Sequence, residues 1–172
     1  MSNGAVNSGD AHALTRNILE QLRSPEQLDD HPWAAKRFVR EAVSTHPVLM
    51  NKSAGFQLAF AVGELFRKML PGVAPKRGKR LDTQWGAFGI LAANYFAPFL
   101  FGEPYPVSLR DAWGKIDEAI LTFRFGKDGL LTLSEEDINR YKLVGDELEV
   151  APLSTLSDWQ RKGVEHLRRD QV

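Results

Sequence analysis

Four histidines, His12, His31, His46 and His166, are the side chains best suited to move protons or hold a metal in this 172-residue chain. No two of them stand three or four residues apart, the separation that sets two imidazoles on one helix face around an ion. Asp29-Asp30-His31 is a compact polar triple with cation-binding chemistry. It lies where a helix N-cap belongs, with Asp30 as the cap, and capping is the expected use of it. Cysteine is absent, which removes thiol nucleophiles, disulfides, Cys-based zinc sites and iron–sulfur clusters and suits a reducing compartment. No serine sits in a Gly-x-Ser-x-Gly elbow, and no Gly-x-x-x-x-Gly-Lys-Ser/Thr loop is present. Gly86-Ala87-Phe88-Gly89 falls inside a helical pattern with no strand before it, so it is not read as a phosphate cradle. The expectation is a protein without a catalytic centre, metal or cofactor.

Binding is the remaining chemistry. Twenty-two basic residues balance 22 acidic ones, so no whole-molecule field draws the chain to a polyanion and any such contact needs a local patch. Lys76, Arg77, Lys79 and Arg80 place four cations in five residues on a loop bounded by Pro75. Such a cluster can neutralise a few phosphates or meet an anionic partner, or it can be a solvated loop balanced by acids such as Asp82.

The C-terminal third carries the most specific pattern. Leu121-Thr122-Phe123-Arg124-Phe125-Gly126 is followed by Thr132-Leu133-Ser134-Glu135-Glu136 and then by Arg161-Lys162-Gly163-Val164-Glu165-His166-Leu167-Arg168. In order and character this resembles region 4 of sigma factors, a helix-turn-helix DNA-binding module. The resemblance implies that Ser154 to Arg169 is a recognition helix whose N-terminal half faces the major groove. It further implies that Thr155, Ser157 and Gln160 meet bases or phosphates while Arg161 and Lys162 supply charge. The same region, 133–172, holds nine acids against six bases, a balance that suits an ordinary capped helix pair packed on the domain.

The elements that would position these residues are mostly helices. Leu14, Ile18, Leu19 and Leu22 recur at helical spacing between Ala11 and Arg23. A second helix is expected from Asp30 to Pro47, with Pro32 in its first turn, and a third, apolar on most sides, from Ser53 to Leu70. Asp82 caps a fourth through Trp85, Phe88, Ala92, Tyr95, Phe96 and Phe99, with Pro98 bending or ending it, and Ser108 caps a fifth through Trp113 to Ile120. These segments are expected to bury Trp33, Phe60, Phe66, Trp85, Phe88, Tyr95 and Trp113 together. Leu121, Phe123 and Phe125 alternate with polar residues and predict a short strand before the Gly126–Gly129 turn. Ser134 with Asp137 opens a further helix that Gly145 and Asp146 interrupt; Glu147 to Val150 reads as an edge strand, and Thr155 with Asp158 as a second capping signal.

The predicted architecture is therefore mainly α, a multi-helix bundle with a C-terminal helix-turn-helix-like pair and a short β element. Residues 1–10 form a disordered arm, 11–120 the helical body and 121–172 the C-terminal module packed on it. The uncharged run Gln84 to Phe101 approaches the length of a membrane span, but Asn94, Pro98 and its glycines favour a buried helix, so membrane contact is not expected and the location is cytoplasmic. Two functions stay open: a DNA-binding or transcription-associated module working through the last helix, with the basic loop as a further phosphate contact, and a protein-interaction or adaptor domain that binds no nucleic acid.

Overall fold

A computed structural model of the chain describes residues 8–22, 24–71, 75, 81–97, 108–114 and 135–170. They are mainly helical, and the chain divides into two compact units, Met1–Met69 with Val164–Val172 and Leu70–Gly163.

Three prolines set the local structure of the first unit. Helix α1 (Ser8–Glu20) is followed by short 3-10 turns at Pro25–Leu28, Pro32–Ala35 and Pro47–Asn51, each with proline at its start, and by helices α2 (Arg37–Thr45) and α3 (Ala54–Lys68). Proline suits that place because its φ is already helical and the N–H it lacks would have no partner in the first turn. The helix expected from Asp30 therefore begins only at Arg37. Pro32–Ala35 closes as a separate turn, and Lys36, extended at ψ 160°, breaks the path between them. His31, not Asp30, caps that turn by accepting from the Trp33 backbone N–H at 3.1 Å. Helix α1 begins at Ser8, inside the stretch expected to be a disordered arm.

Helix α3 is the centre of this unit and packs against α2 and the first two proline turns. Leu58, Ala59, Ala61, Val62, Leu65 and Phe66 are buried along it, as a helix apolar on most sides requires. Its start is held twice. Ser53 Oγ accepts from the Phe56 N–H at 3.3 Å, and Asp29 reaches across from the first proline turn to accept from the Gly55 N–H at 2.8 Å. The approach is so close that a Cβ on Gly55 would stand 1.9 Å from the Pro25 carbonyl oxygen.

In the second unit Asp82 caps helix α4 (Thr83–Leu91), as expected, accepting from the Trp85 N–H at 2.9 Å. The chain widens into a π turn at Ala92–Phe96; Phe99, expected in the same helix, lies outside the described residues. Ser108 Oγ accepts from the Asp111 N–H at 3.1 Å, which caps the helical run 109–114. Helices α5 (Glu135–Val150) and α6 (Leu153–Asp170) complete the described chain, and α6 runs on to give its last turns to the first unit. Trp85 sits among aromatic edges: Trp113 at 6.3 Å, Phe88 at 6.0 Å and Tyr141 at 5.7 Å, all steeply inclined, the geometry that aligns ring edges with ring faces. The buried Trp113 indole donates to the Tyr141 carbonyl oxygen at 2.9 Å. Of the aromatic residues expected to share one core, Trp33, Phe60 and Phe66 belong to the first unit and Trp85, Phe88, Tyr95 and Trp113 to the second, with Phe60 and Tyr95 only half-buried.

Two expectations about the C-terminal region change. Among the described residues there is no strand, and Glu147–Val150, read as an edge strand, is the end of α5. Gly145 does not stop that helix because its missing side chain makes room for a neighbour: a Cβ there would stand 3.0 Å from the Trp113 ring and 3.4 Å from the Arg110 carbonyl oxygen. The strand expected at Leu121–Phe125 lies outside the described residues. Among the described residues no helix is long and apolar enough to cross a membrane.

Candidate interaction surface at the elbow of the last two helices

Only Ala151 and Pro152 separate α5 from α6. The Ala151 N–H still donates to the Glu147 carbonyl oxygen at 2.9 Å, and the Pro152 carbonyl oxygen accepts from the Leu156 N–H at 3.0 Å, so one helical ladder stops where the next starts. Proline causes the break: it disfavours helical geometry in the residue before it and is itself at home where a helix begins. Thr155, expected in a capping pair with Asp158, is consequently within the first turn of α6 and is not its N-cap.

The elbow is apolar and uncovered. Val150 and Leu153, on its two sides, are 70% and 82% exposed. Beyond it α6 turns Ser154, Ser157, Arg161 and Lys162 outward, while Trp159 and Gly163 are buried. Gly163 permits close packing on α4, since a Cβ would meet the Leu91 side chain at 2.8 Å and the Ala87 carbonyl oxygen at 3.2 Å. Gly86 does the same for Trp159, whose ring would lie 2.3 Å from an added Cβ. The glycines of Gly86-Ala87-Phe88-Gly89 are thus contact points between helices.

The five positions expected to read DNA divide. Ser157, Arg161 and Lys162 are exposed, whereas Thr155 and Gln160 are half-buried. Gln160 Oε1 accepts from Asn94 Nδ2 on the π turn at 3.1 Å, which occupies the side chain with its own fold. Arg161 and Lys162 converge on one carboxylate: Arg161 Nη2 is 2.8 Å from Asp158 Oδ1 and Lys162 Nζ is 3.0 Å from Oδ2. Lys162 first and Arg161 second hold the Asp158 carboxyl below its usual range by donating to it, so the negative charge stays between them. The end of α5 adds Asp146 and Glu149; Arg110 Nε pairs with Asp146 at 2.9 Å, and the Arg110 backbone N–H donates to Glu149 at 3.3 Å.

Lys76, Arg77, Lys79 and Arg80, the other predicted contact residues, lie outside the described residues. Among the described residues no three His, Asp or Glu side chains gather as a metal ion would need. Comparison of the chain with protein-family models, curated proteins and solved structures finds no match. Sequence reasoning missed Asp158 as the partner of both cations, although its i, i+3 and i, i+4 spacing was legible. It missed Val150 and Leu153 because Glu147–Val150 was read as an edge strand, which left no turn between two helices at this point.

Proposed function

We propose that this chain is a protein-interaction domain that takes a short partner segment at the α5–α6 elbow. The observation that carries the reading is the exposure of Leu153 and Val150 on either side of a two-residue turn. Covering a side chain of this kind is worth about 1.5–3 kcal/mol, and the fold leaves that gain unclaimed at both positions. Two side chains make a small patch, well short of the roughly 800 Å² that each partner of a standard-sized protein complex buries. The partner that fits is therefore a peptide-like segment bringing an apolar side chain to the elbow. Its flank beside Val150 meets the exposed Glu149, while Arg161 and Lys162, with Asp158 between them, lie about two turns further along α6.

The DNA-binding reading has one observation in its favour: with Glu147–Val150 helical, the interval between the two helices shrinks to Ala151–Pro152, close to the tight turn of a helix-turn-helix. The charge pattern favours the protein partner instead. A groove-reading helix releases counterions where its surface carries a net positive charge, and here Asp158 offsets part of the charge of Arg161 and Lys162.

The two readings separate in a titration of the full chain with random duplex DNA at low and moderate salt, alongside selection of short peptides from a random display library. The interaction reading expects no salt-sensitive DNA binding and expects selected peptides to lose affinity in Val150→Ser/Leu153→Ser. Salt-sensitive DNA binding that disappears in Arg161→Ala/Lys162→Ala would overturn it in favour of the sigma-factor-like reading.

A further inference from the structure

His31 stands between the first two proline turns, far in sequence from the elbow. Its Nδ1 accepts the Trp33 backbone N–H at 3.1 Å and so caps the turn Pro32–Ala35. An imidazole that accepts through Nδ1 carries its proton on Nε2, a tautomer fixed by this hydrogen bond. That Nε2 is buried and has no hydrogen-bond partner among the described residues. The ring meets the Trp33 indole edge-on at 6.1 Å, and Trp33 is 6% exposed.

We infer that His31 is a proton-operated latch on the turn Pro32–Ala35. The neutral ring closes the turn; a proton on Nδ1 turns its acceptor into a donor that faces the Trp33 N–H, and the turn lets go. No bond other than N–H forms, and the proton comes from solvent. Two features give the latch its direction. Protonation leaves two donors opposed across 3.1 Å, and it places a charge on a ring whose far nitrogen has no acceptor among the described residues. Burial already holds the His31 pKa below the usual imidazole value.

Charged groups lie on each neighbouring element. On the N-terminal side are Glu26 on the first proline turn, Asp29, whose carboxylate receives the Gly55 N–H, and Asp30. On the C-terminal side, Lys36 lies 4.2 Å from the centre of the Trp33 ring. From α2, Arg40 donates to the Ala35 carbonyl oxygen at 3.1 Å, while Arg37 pairs with Glu41 at 3.1 Å. Helix α3 has no ionisable side chain from Ala54 to Gly63; Lys52 precedes it, and Glu64, Arg67 and Lys68 lie in its last turns. When the cap opens, the hydrogen bonds that close the turn, from the Ala34 N–H to the His31 carbonyl oxygen and from the Lys36 N–H to the Trp33 carbonyl oxygen, go with it, and Trp33 is released from its cover.

The test follows the Trp33 backbone amide and the His31 ring nitrogens by NMR in the full chain as pH falls from about 8 to about 4, a window that starts above the ordinary imidazole value and runs well below it. Nε2–H is expected at high pH. As the ring titrates, the Trp33 amide should shift with the same midpoint, and amide-exchange protection at Trp33 and Lys36 should fall several-fold. His31→Asn keeps a side-chain acceptor at the cap and should abolish the response, whereas His12→Asn and His46→Asn should preserve it. A His31 ring that titrates while the Trp33 amide stays unmoved, or a Trp33 response that survives in His31→Asn, would overturn the latch.

Discussion

Gly55 and Gly63 stand in the same helix two turns apart and should answer the same substitution with opposite signs. A Cβ at Gly55 would press on the Pro25 carbonyl oxygen and the Asp29 backbone, whereas at Gly63 it would meet nothing within 4 Å. Gly63→Ala is expected to stabilise the chain by roughly 0.5–1 kcal/mol, the usual gain for replacing glycine in a helix interior. Gly55→Ala should destabilise it by about 1–3 kcal/mol through overpacking; urea denaturation of the two variants checks both signs. His31 sets a second expectation at this scale. Its folded pKa is depressed by burial, so the unfolded chain binds a proton more readily, and stability is full above the ordinary value near 6.5 and declines as pH falls below it. Thermal melts should show that decline in the native chain and a smaller one in His31→Asn. Asp82 was legible as a cap because Trp85 and its apolar periodicity follow at once. Asp29 was not, because the N–H it receives belongs to Gly55, 26 residues away, and no local pattern announces a cap supplied by a distant turn.

Helix boundaries were legible where proline or a capping residue stood beside a periodic apolar run, as at Ser53 and Asp82. They were misread where glycine serves packing. Gly145 looks like punctuation in sequence, yet it is the place where the run 109–114 lies against α5, with Trp113 bonded to the Tyr141 carbonyl and Arg110 to Asp146. An edge strand was then drawn over the last turn of that helix, and the elbow disappeared from view. The prolines misled in the other direction: Pro32 was read as the first turn of a long helix, but it opens a 3-10 turn of its own. Close contact through glycine predicts a measurable cost between elements. Gly86→Ala would drive a Cβ to 2.3 Å from the Trp159 ring, and since a buried indole has little room to move, denaturant melts should show a loss of about 1–3 kcal/mol.

For the molecule as a whole, equal numbers of acids and bases left the question of a partner open, and the placement of a few charges decides between the readings. The helical class was legible in the apolar periodicity and the capping residues. The pairing of Arg161 and Lys162 with Asp158 was written in the spacing, but its meaning emerged only once Thr155 and Gln160 proved half-buried and Leu153 exposed. On the proposed function, the partner is engaged by the apolar elbow and not by cations. Calorimetric titration of a display-selected peptide into the native chain, Val150→Ser/Leu153→Ser and Val48→Ser/Met50→Ser tests it most directly, because Val48 and Met50 are the other strongly exposed apolar pair among the described residues. The expected result is a negative heat-capacity change with the native chain, as apolar burial requires, at least a tenfold loss of affinity at the elbow, equivalent to about 1.4 kcal/mol, and no change at the control pair. Equal affinity for all three proteins would contradict it.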